Sequence, residues 1–409
     1  MVRQRLDVNI GQLQAHEDLI WQVTYDPTGS HLASISQEGR LVLWNTENRP
    51  RQGPLATAAP LAAHEEWVNG VLFAPSGELL VSASQDGRVA FWDITTTPPT
   101  ATIQEGGNPL NAIALSADGR YLATGEIGGQ VRLWDVATQR PLDPPLPNPD
   151  SEAITSLAFS PDSKRLAAGD EDGHITLWDI ENRTLLGEGM TAHTGTVWAL
   201  VFTPNGEWLV SGGQDGLVMV WEVATRQPVG LPLANHNNAV VALAFTPDGS
   251  RLASAGEDRA ILLWATADFT NTDSAPQPIA DPLAGHERRI NALAFSPDGR
   301  ILASGSNGSV STAGDVGGDD DIIILWDMGR LEPLGPALRT RHGRVLALAF
   351  SPDGRWLASG GQDGAVLLWA VSPSDWGVLA CGRINRDVTG EEWVRYVGLG
   401  ERRPLCGGE

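Results

Sequence analysis

The stretch HEEWVNGVLFAPSGELLVSASQDGRVAFWD, residues 64–93, contains three short runs of alternating apolar residues separated by turn sequences. Alternation with a period of two is typical of strands that bury one face. APSG and QDG are turn sequences, because Pro presets φ and Gly tolerates positive φ. The stretch therefore predicts three antiparallel strands, which we call a, b and c.

The same pattern recurs along the chain, and each copy ends in a tryptophan of strand c. Successive tryptophans are separated by 48, 42, 44, 43, 43, 62 and 43 residues. We expect the segment after each tryptophan to supply a fourth, outer strand d. Four-stranded units with a period of about 40–45 residues are typical of propeller blades. The blade-ending residues are Trp44, Trp92, Trp134, Trp178, Trp221, Trp264, Trp326 and Trp369.

These units resemble the WD40-repeat family over residues 1–370, which implies an all-β, eight-bladed propeller. In that family a His before strand a, a Ser or Thr in strand b, an Asp in the b–c turn and the strand c Trp brace each blade. The matching sets are His64, Ser82, Asp86 and Trp92; His193, Ser211, Asp215 and Trp221; His236, Ser254, Asp258 and Trp264; His286, Ser304, Asp320 and Trp326; and His342, Ser359, Asp363 and Trp369.

Three blades depart from this pattern. The first has Glu38 in the Asp position, and the third has Gly106 and Gly128 in the His and Asp positions. The fourth has Asp150 and Ala168 where His and Ser stand elsewhere. We expect the third and fourth blades to be the least well braced.

The two ends of the repeat region predict how the ring closes. The period stops after Trp369, so the last blade lacks an outer strand of its own. The stretch Arg5–Leu13 alternates suitably and precedes the first blade. We expect it to pair with the last blade, which removes an exposed sheet edge.

A Gly-rich insertion between Ser306 and Asp320 explains the spacing of 62 residues. Its carboxylates, Asp315, Asp319, Asp320 and Asp321, are the ligand type that Ca²⁺ prefers. The spacing is not that of an EF-hand loop, and Asp320 belongs to the blade. The insertion, residues 307–320, is therefore expected to be a surface loop without metal.

Residues 371–409 break the repeat and form a C-terminal extension, which we expect to pack on the propeller. Thr389 and Glu392 form a capping box that predicts a short helix. Cys381 and Cys406 either pair as a disulfide or remain reduced thiols. The segment resembles the extension of bacterial WD40 propellers in large multidomain proteins, and the matching residues are Ala380–Cys381, Asn385–Arg386, Thr389, Glu392–Trp393 and Cys406.

This second resemblance implies the C-terminal part of a STAND-type NTPase or a similar effector-fused sensor. The P-loop pattern GxxxxGK[ST] does not occur in these 409 residues. An NTPase domain of that kind would therefore lie upstream or be absent.

The sequence argues against an enzyme. His64, Ser82 and Asp86 are the residue types of a nucleophilic triad, but the same trio recurs in five blades, whereas a catalytic site needs it once. Neither HExxH, nor CxxC, nor a glycine-rich phosphate loop occurs. We expect no catalytic residue, no cofactor and no metal.

Charge and hydropathy narrow the partners. Fifty acidic and 28 basic residues give a net charge of −22, which repels nucleic acids and anionic lipid surfaces. No apolar run approaches the length of a membrane-spanning helix. We expect a soluble, cytoplasmic monomer that binds neither nucleic acid nor membrane.

In the WD40 family, three positions per blade surround the channel mouth on one face, the top face. They are the two residues flanking the first apolar residue of strand a and the residue before the turn Asp, which is Asp319 in the seventh blade. Trp and Arg are frequent binding hot spots. The residues selected on this basis are Trp21, Trp67, Trp198, Asn69, Asn291, Arg289, Arg344, Gln85, Gln214 and Gln362.

Two functions fit this surface. In the first, the propeller binds a protein or peptide of basic character, as sensor or scaffold of a larger bacterial signalling or defence protein. The tryptophans are then apolar anchors, and the two arginines receive carboxylates. In the second, the propeller holds an attached NTPase or effector domain inactive through intramolecular contacts. For the tryptophans, the structural alternative is that they only fill a wide channel.

Overall fold

The computed structural model describes residues 9–14, 16–46, 63–96, 99–149, 152–191, 193–271, 276–307, 322–335, 337–340, 344–362 and 365–371. Of the first six residues in this list, only the backbone is described. Most of the insertion and all but the first residue of the C-terminal extension lie outside these ranges, and so do Cys381, Cys406, Asp320, His342 and Asp363.

The described residues form eight antiparallel sheets, each built on three consecutive strands. The a strands are Ile20–Tyr25, Val68–Phe73, Leu110–Leu115, Ile154–Phe159, Val197–Phe202, Val240–Phe245, Ile290–Phe295 and Val345–Phe350. The b strands are His31–Ser36, Leu79–Ser84, Tyr121–Glu126, Arg165–Asp170, Trp208–Gly213, Arg251–Gly256, Ile301–Ser306 and Trp356–Gly361. The c strands are Leu41–Asn45, Arg88–Asp93, Val131–Asp135, His174–Asp179, Val218–Glu222, Ile261–Ala265, Ile322–Asp327 and Ala365–Ala370.

Most outer strands are shorter than the inner ones. Besides Asn9–Gln14 in the last sheet, those that pair with a c strand are Thr100–Glu105, Arg140–Pro141, Thr184–Leu185, Met190–Thr191, Glu332–Pro333 and Leu338–Arg339. In the fifth and sixth sheets, isolated bridges such as Val218 to Leu233 and Ile261 to Leu283 take their place. A single turn of 3₁₀ helix, Thr266–Asp268, follows the sixth c strand.

The eight sheets form a ring. Each a strand contacts the a strands of the sheets before and after it, and the last a strand contacts the first. Strand a is therefore innermost, and the sheets are the blades of a propeller with eight blades.

The core lies between blades rather than within them. Ile20, Leu32 and Trp44 of the first blade pack against Val366 and Leu368 of the last, and equivalent clusters lie between the other neighbours. The strand c tryptophans are only 0–4% exposed. Burying a ring of this size contributes about 4–6 kcal/mol.

The a–b turns form a second set of contacts between neighbouring blades, at the end of the ring opposite to the b–c turns. Gly29 has φ of 75°, and a side-chain carbon there would lie 3.3 Å from Cδ of Pro352 in the last blade. A side-chain carbon at Gly249 would lie 3.1 Å from Cδ of Pro204 in the blade before it. The Gly and Pro of the predicted turn thus form a contact between blades as well as a turn.

The last sheet contains strands from both ends of the repeat region. Asn9–Gln14 pairs antiparallel with Ala365–Ala370, with Gln12 opposite Leu367. The register shifts between Asn9 and Gly11. The edge strand therefore comes from the N-terminal side of the first blade.

We expect deletion of residues 1–14 to lower the melting temperature by several degrees. Losing about five backbone hydrogen bonds removes about 5 kcal/mol and exposes the edge of the last sheet. Differential scanning calorimetry of the purified chain measures the change. Deletion of residues 1–8, which keeps the paired strand, is the control, and equal melting temperatures for the two deletions would contradict the role given to this strand.

Candidate functional site

One repeated hydrogen bond defines the top face. In each blade the residue directly after strand b donates its backbone N–H to the carbonyl of the residue before strand a, at 2.8–3.1 Å. Examples are Gln85 to Trp67 and Gln362 to Arg344. The b–c turns and the loops entering strand a therefore lie together at one end of the ring.

In the seventh blade this position belongs to Asn307, whose N–H donates to the carbonyl of Arg289 at 2.9 Å. The sequence analysis assigned it to Asp319 by counting back from Trp326, across the insertion. Asp319 itself lies outside the described residues. Reading forward from the end of strand b would have found Asn307.

A hydrogen-bonded chain braces the blades from the top face to the core. In the fifth blade His193 Nδ1 lies 2.9 Å from Asp215, and its Nε2 lies 2.8 Å from Ser211 Oγ. Trp221 Nε1 donates to the same hydroxyl at 3.2 Å. If the neutral imidazole carries its hydrogen on Nδ1, every donor in this chain has one acceptor.

The second and sixth blades repeat the arrangement with their own residues. His64 Nε2 lies 2.8 Å from Ser82, and His236 Nε2 lies 2.7 Å from Ser254. In the last two blades, the tryptophans donate to Ser304 and Ser359 at 2.8 and 2.9 Å, and His286 lies 2.6 Å from Ser304.

The brace positions the top-face loops. Besides binding His64, Asp86 accepts the backbone N–H of Glu65 at 3.1 Å. Asp215 and Asp258 accept the N–H of Thr194 and Asn237 in the same way, each at 3.0 Å. The carboxylate therefore holds the loop that carries residues such as Trp67.

The serine of the trio cannot act as a nucleophile in this geometry. Ser82, Ser211 and Ser254 are 0% exposed, so no substrate reaches their hydroxyls. Burial lowers the pKa of His64 and His193, against the opposing effect of the paired aspartate. Burial also lowers the pKa of His16 and of His286 to about 4.

Other hydrogen bonds replace the brace in the third blade. Glu126 is buried at the end of strand b and accepts from Asn108 Nδ2 at 2.8 Å. Arg132 Nε lies 3.8 Å from the other carboxylate oxygen. Burial raises the pKa of Glu126. The sequence analysis missed this group, although an acidic residue directly after the strand b glycine marks it.

The fourth blade replaces its brace differently. Ala168 offers no hydroxyl, and Trp178 Nε1 donates instead to the carbonyl of Pro147 at 2.8 Å. Buried Asp170 accepts the N–H groups of Asp172 and His174 at 3.0 and 2.8 Å. The tryptophan is thus satisfied without the residues that the repeat pattern names.

The structure brings two of the predicted anchors together. The rings of Trp21 and Trp67, from the first and second blades, have centroids 6.3 Å apart and planes inclined by 32°. They are 40% and 37% exposed, far more than the strand c tryptophans. The loops that lead to them carry four exposed carboxylates, Glu17, Asp18, Glu65 and Glu66.

Trp198 belongs to a different part of the ring. It is 45% exposed and lines the central channel, where a cavity of about 400 Å³ lies between the a strands. Asn69, Asn111 and Asn291 line the same cavity.

The predicted asparagines bind the neighbouring blade. The side-chain amide of Asn69 donates to the carbonyl of Leu110 at 2.8 Å, and that of Asn291 donates to Val345 at 2.9 Å. Asn111, which was not selected, makes the same bond to Ile154 at 2.8 Å. These amides therefore connect successive a strands. Among the selected glutamines, Gln214 and Gln362 are exposed and Gln85 is half-buried.

Arg289 and Arg344 line a second, smaller recess of about 380 Å³ on the top face. It lies where the sixth, seventh and eighth blades meet. Arg289 Nη1 donates to Glu257 Oε1 at 2.7 Å, across the boundary between blades.

Comparison with known proteins agrees with this architecture. Eight stretches match the model of the WD domain, G-beta repeat: residues 8–45, 54–93, 98–135, 146–179, 184–222, 227–265, 277–311 and 335–370. The chain belongs to the WD40 repeat family. WD40 propellers are in general non-enzymatic modules of protein interaction.

Among solved structures, the propeller is similar to the computationally designed Ika8 protein, with 24% sequence identity and a TM-score of 0.69. The match covers 89% of this chain and 99% of that one, and it supports the fold. No curated protein matches the chain. In the ranges that the structure describes, no helix has the length and apolar character needed to cross a membrane.

The first blade allows a direct test of the WD40 brace. Glu38 Oε1 lies 3.5 Å from His16 Nδ1, whereas the corresponding aspartates lie 2.8–3.1 Å from their histidines. We expect Glu38→Asp to raise the free energy of unfolding by about 1 kcal/mol, because the shorter side chain forms the missing hydrogen bond.

The matched control is the reverse change in the fifth blade. Asp215→Glu should lower the free energy of unfolding by a similar amount, as measured by denaturant titration. If both variants are as stable as the parent, the contact between the histidine and the carboxylate does not stabilise the blade.

The lowered histidine pKa values predict a loss of stability in mild acid. The unfolded chain binds a proton at each histidine as the pH falls below 6.5, whereas folded His16 binds one only near pH 4. Stability is therefore present above pH 6.5 and is lost as the pH falls towards 4, by about 3 kcal/mol for His16.

Melting temperatures measured between pH 7.5 and 4.5 test this expectation. His16→Gln should lower stability at pH 7.5 and reduce the further loss down to pH 4.5. Ser34→Ala removes the 2.7 Å hydrogen bond to His16 but keeps the imidazole, so its pH dependence should resemble that of the parent. An unchanged pH dependence in His16→Gln would contradict the assignment.

Proposed function

We propose that this WD40 propeller binds a protein or peptide on its top face, with Trp21 and Trp67 as the central apolar anchors. The observation that carries the proposal is that the two ring centroids lie 6.3 Å apart while both side chains stay more than one third exposed. Covering them removes apolar surface from water, which contributes a binding free energy of about 25 cal/mol per Å² of buried area. Paired, rigid tryptophans are typical binding hot spots.

The surroundings of this pair favour a partner of basic character. Glu17, Asp18, Glu65 and Glu66 are exposed in the loops that precede the two rings. A Lys or Arg side chain against them gains a cation–π contact and nearby carboxylates together. The net charge of −22 steers a basic partner towards the protein.

The remaining selected residues have supporting roles in this proposal. Trp198, Gln85, Gln214 and Gln362 contact the partner around the channel mouth, while Asn69 and Asn291 hold adjacent a strands in place. Arg289 and Arg344 receive its acidic groups. No cofactor or metal takes part.

We further propose that the propeller is the sensor or scaffold module of a larger bacterial signalling or defence protein, monomeric and cytoplasmic. The likeness of the C-terminal extension to those of STAND-type proteins supports this role. In the alternative function, the exposed tryptophan pair covers an attached NTPase or effector domain and holds it inactive. The two functions differ in whether the top face binds a separate protein or an upstream domain of the same polypeptide.

The test is affinity capture from a lysate of the native host, followed by titration of the captured protein. We expect Trp21→Ala/Trp67→Ala to weaken its binding at least about 100-fold, since hot-spot aromatics contribute about 2 kcal/mol or more each. Isothermal titration calorimetry with the purified partner measures the change.

The control variant is Ile103→Ala/Leu231→Ala. It removes two apolar side chains that are 45% and 43% exposed but belong to outer segments of the ring. Equal weakening by both variants would contradict the top-face assignment. Capture of nothing by the parent, together with binding of a separately supplied upstream domain, would favour the autoinhibitory function.

A further inference from the structure

The recess between the sixth, seventh and eighth blades is basic on a strongly acidic protein. It is lined by four arginines, two glutamates and one asparagine: Arg259, Arg288, Arg289, Arg344, Glu257, Glu287 and Asn307. Four guanidinium groups and two carboxylates give this lining a formal charge of +2, whereas the whole chain carries −22. The recess is thus a local reversal of the protein's charge.

Arg259 occupies a backbone position that favours glycine. Its φ is 70°, in the left-handed region, and it lies directly after Asp258 in the b–c turn. The equivalent residues of the first five blades are Gly39, Gly87, Gly129, Gly173 and Gly216, all with φ between 78° and 90°. A long side chain at such a position is strained, and strain of this kind is concentrated at functional sites.

A second arginine is held in place by its contacts. The 2.7 Å bond from Arg289 Nη1 to Glu257 fixes the guanidinium at the recess. Its Nε is buried and finds no acceptor among the residues that the structure describes. Arg289 therefore has a fixed geometry while its side chain stays 39% exposed, which are the properties of a preorganised anion ligand.

We propose that this recess binds a phosphoryl group carried by the protein partner of the top face. A guanidinium group binds two phosphoryl oxygens at once, and a phosphorylated side chain carries a charge of about −2 at pH 7, opposite to that of the lining. A single carboxylate carries a charge of −1 and would neutralise only half of the lining's formal charge of +2. This replaces the carboxylate expected from the sequence with a phosphoryl group.

The proposal is compatible with the expectation, drawn from the net charge, that the chain binds no nucleic acid. A phosphate backbone brings many charges against the whole acidic surface, whereas one phosphoryl group meets only the recess. The inference rests on the proposed function in that the partner carries the group. The recess by itself is tested separately with a small anion.

The test is a titration of the full chain with inorganic phosphate at pH 7.5 and 150 mM NaCl. Binding is measured by ³¹P line broadening and by calorimetry. We expect saturable binding of phosphate, at least about tenfold tighter than that of acetate. Arg289→Gln and Arg344→Gln should each weaken it about tenfold. Arg300→Gln should leave it unchanged, because the Arg300 side chain is 86% exposed in an a–b turn on the opposite face.

Arg259→Gly separates binding from folding. It restores the residue that five other blades have in this turn, so its melting temperature should equal or exceed that of the parent, while phosphate binding weakens about tenfold. Parent-like phosphate binding by this variant would overturn the role of Arg259. Equal weakening in Arg300→Gln would show a general field effect, and binding of acetate as tight as that of phosphate would overturn the ligand class.

The outcomes also separate this inference from the proposed function. Trp21→Ala/Trp67→Ala should bind phosphate as the parent does, because these residues do not line the recess. If that variant loses partner capture but the parent binds no phosphate, the proposed function stands. The assignment of the recess as a phosphoryl site is then overturned.

Discussion

Packing between the faces of neighbouring blades is the interaction on which the rest of the structure depends. A blade has only three or four strands, and its apolar residues are buried by the blades on either side, as Ile20 and Trp44 are buried against Val366 and Leu368. No blade therefore completes a core alone, and stability requires a closed ring. Closure in turn brings loops from all eight blades to one face, where residues distant in sequence become neighbours.

The WD40 brace connects this packing to the binding surface. Its tryptophan lies in the core, its serine and histidine lie between, and its aspartate holds the loop that carries the top-face residues. In the second and fifth blades, burial lowers the pKa of His64 and His193, which favours the neutral imidazole and a single arrangement of protons along the chain of hydrogen bonds. A rigid loop loses little conformational entropy when a partner binds, which favours tight binding by few residues.

Much of the fold followed from local rules that each blade obeys independently. Period-two alternation, turn residues and the spacing of Trp44 through Trp369 are repeated eight times, so a departure in one blade did not obscure the pattern. The site was less predictable, because it depends on the residues that are not repeated. Counting back from Trp326 passes over the insertion and does not find Asn307. The hydrogen bond from Trp178 to Pro147 cannot be inferred from the repeat pattern. From the sequence, the contact between Trp21 and Trp67 could be inferred only in so far as their blades are adjacent in the ring.

The top face is divided between two kinds of chemistry. The first and second blades present aromatic rings with carboxylates in the same loops, whereas the sixth to eighth blades present guanidinium groups. The strained turn at Arg259 is informative here, because a folding requirement alone would favour glycine, as it does in five other blades. Uniform acidity would be sufficient to attract a basic partner, so a basic recess adds discrimination rather than attraction. Under the proposed function, a partner that contacts both regions would carry basic and phosphorylated groups at a fixed separation, and this double requirement would make the top face selective.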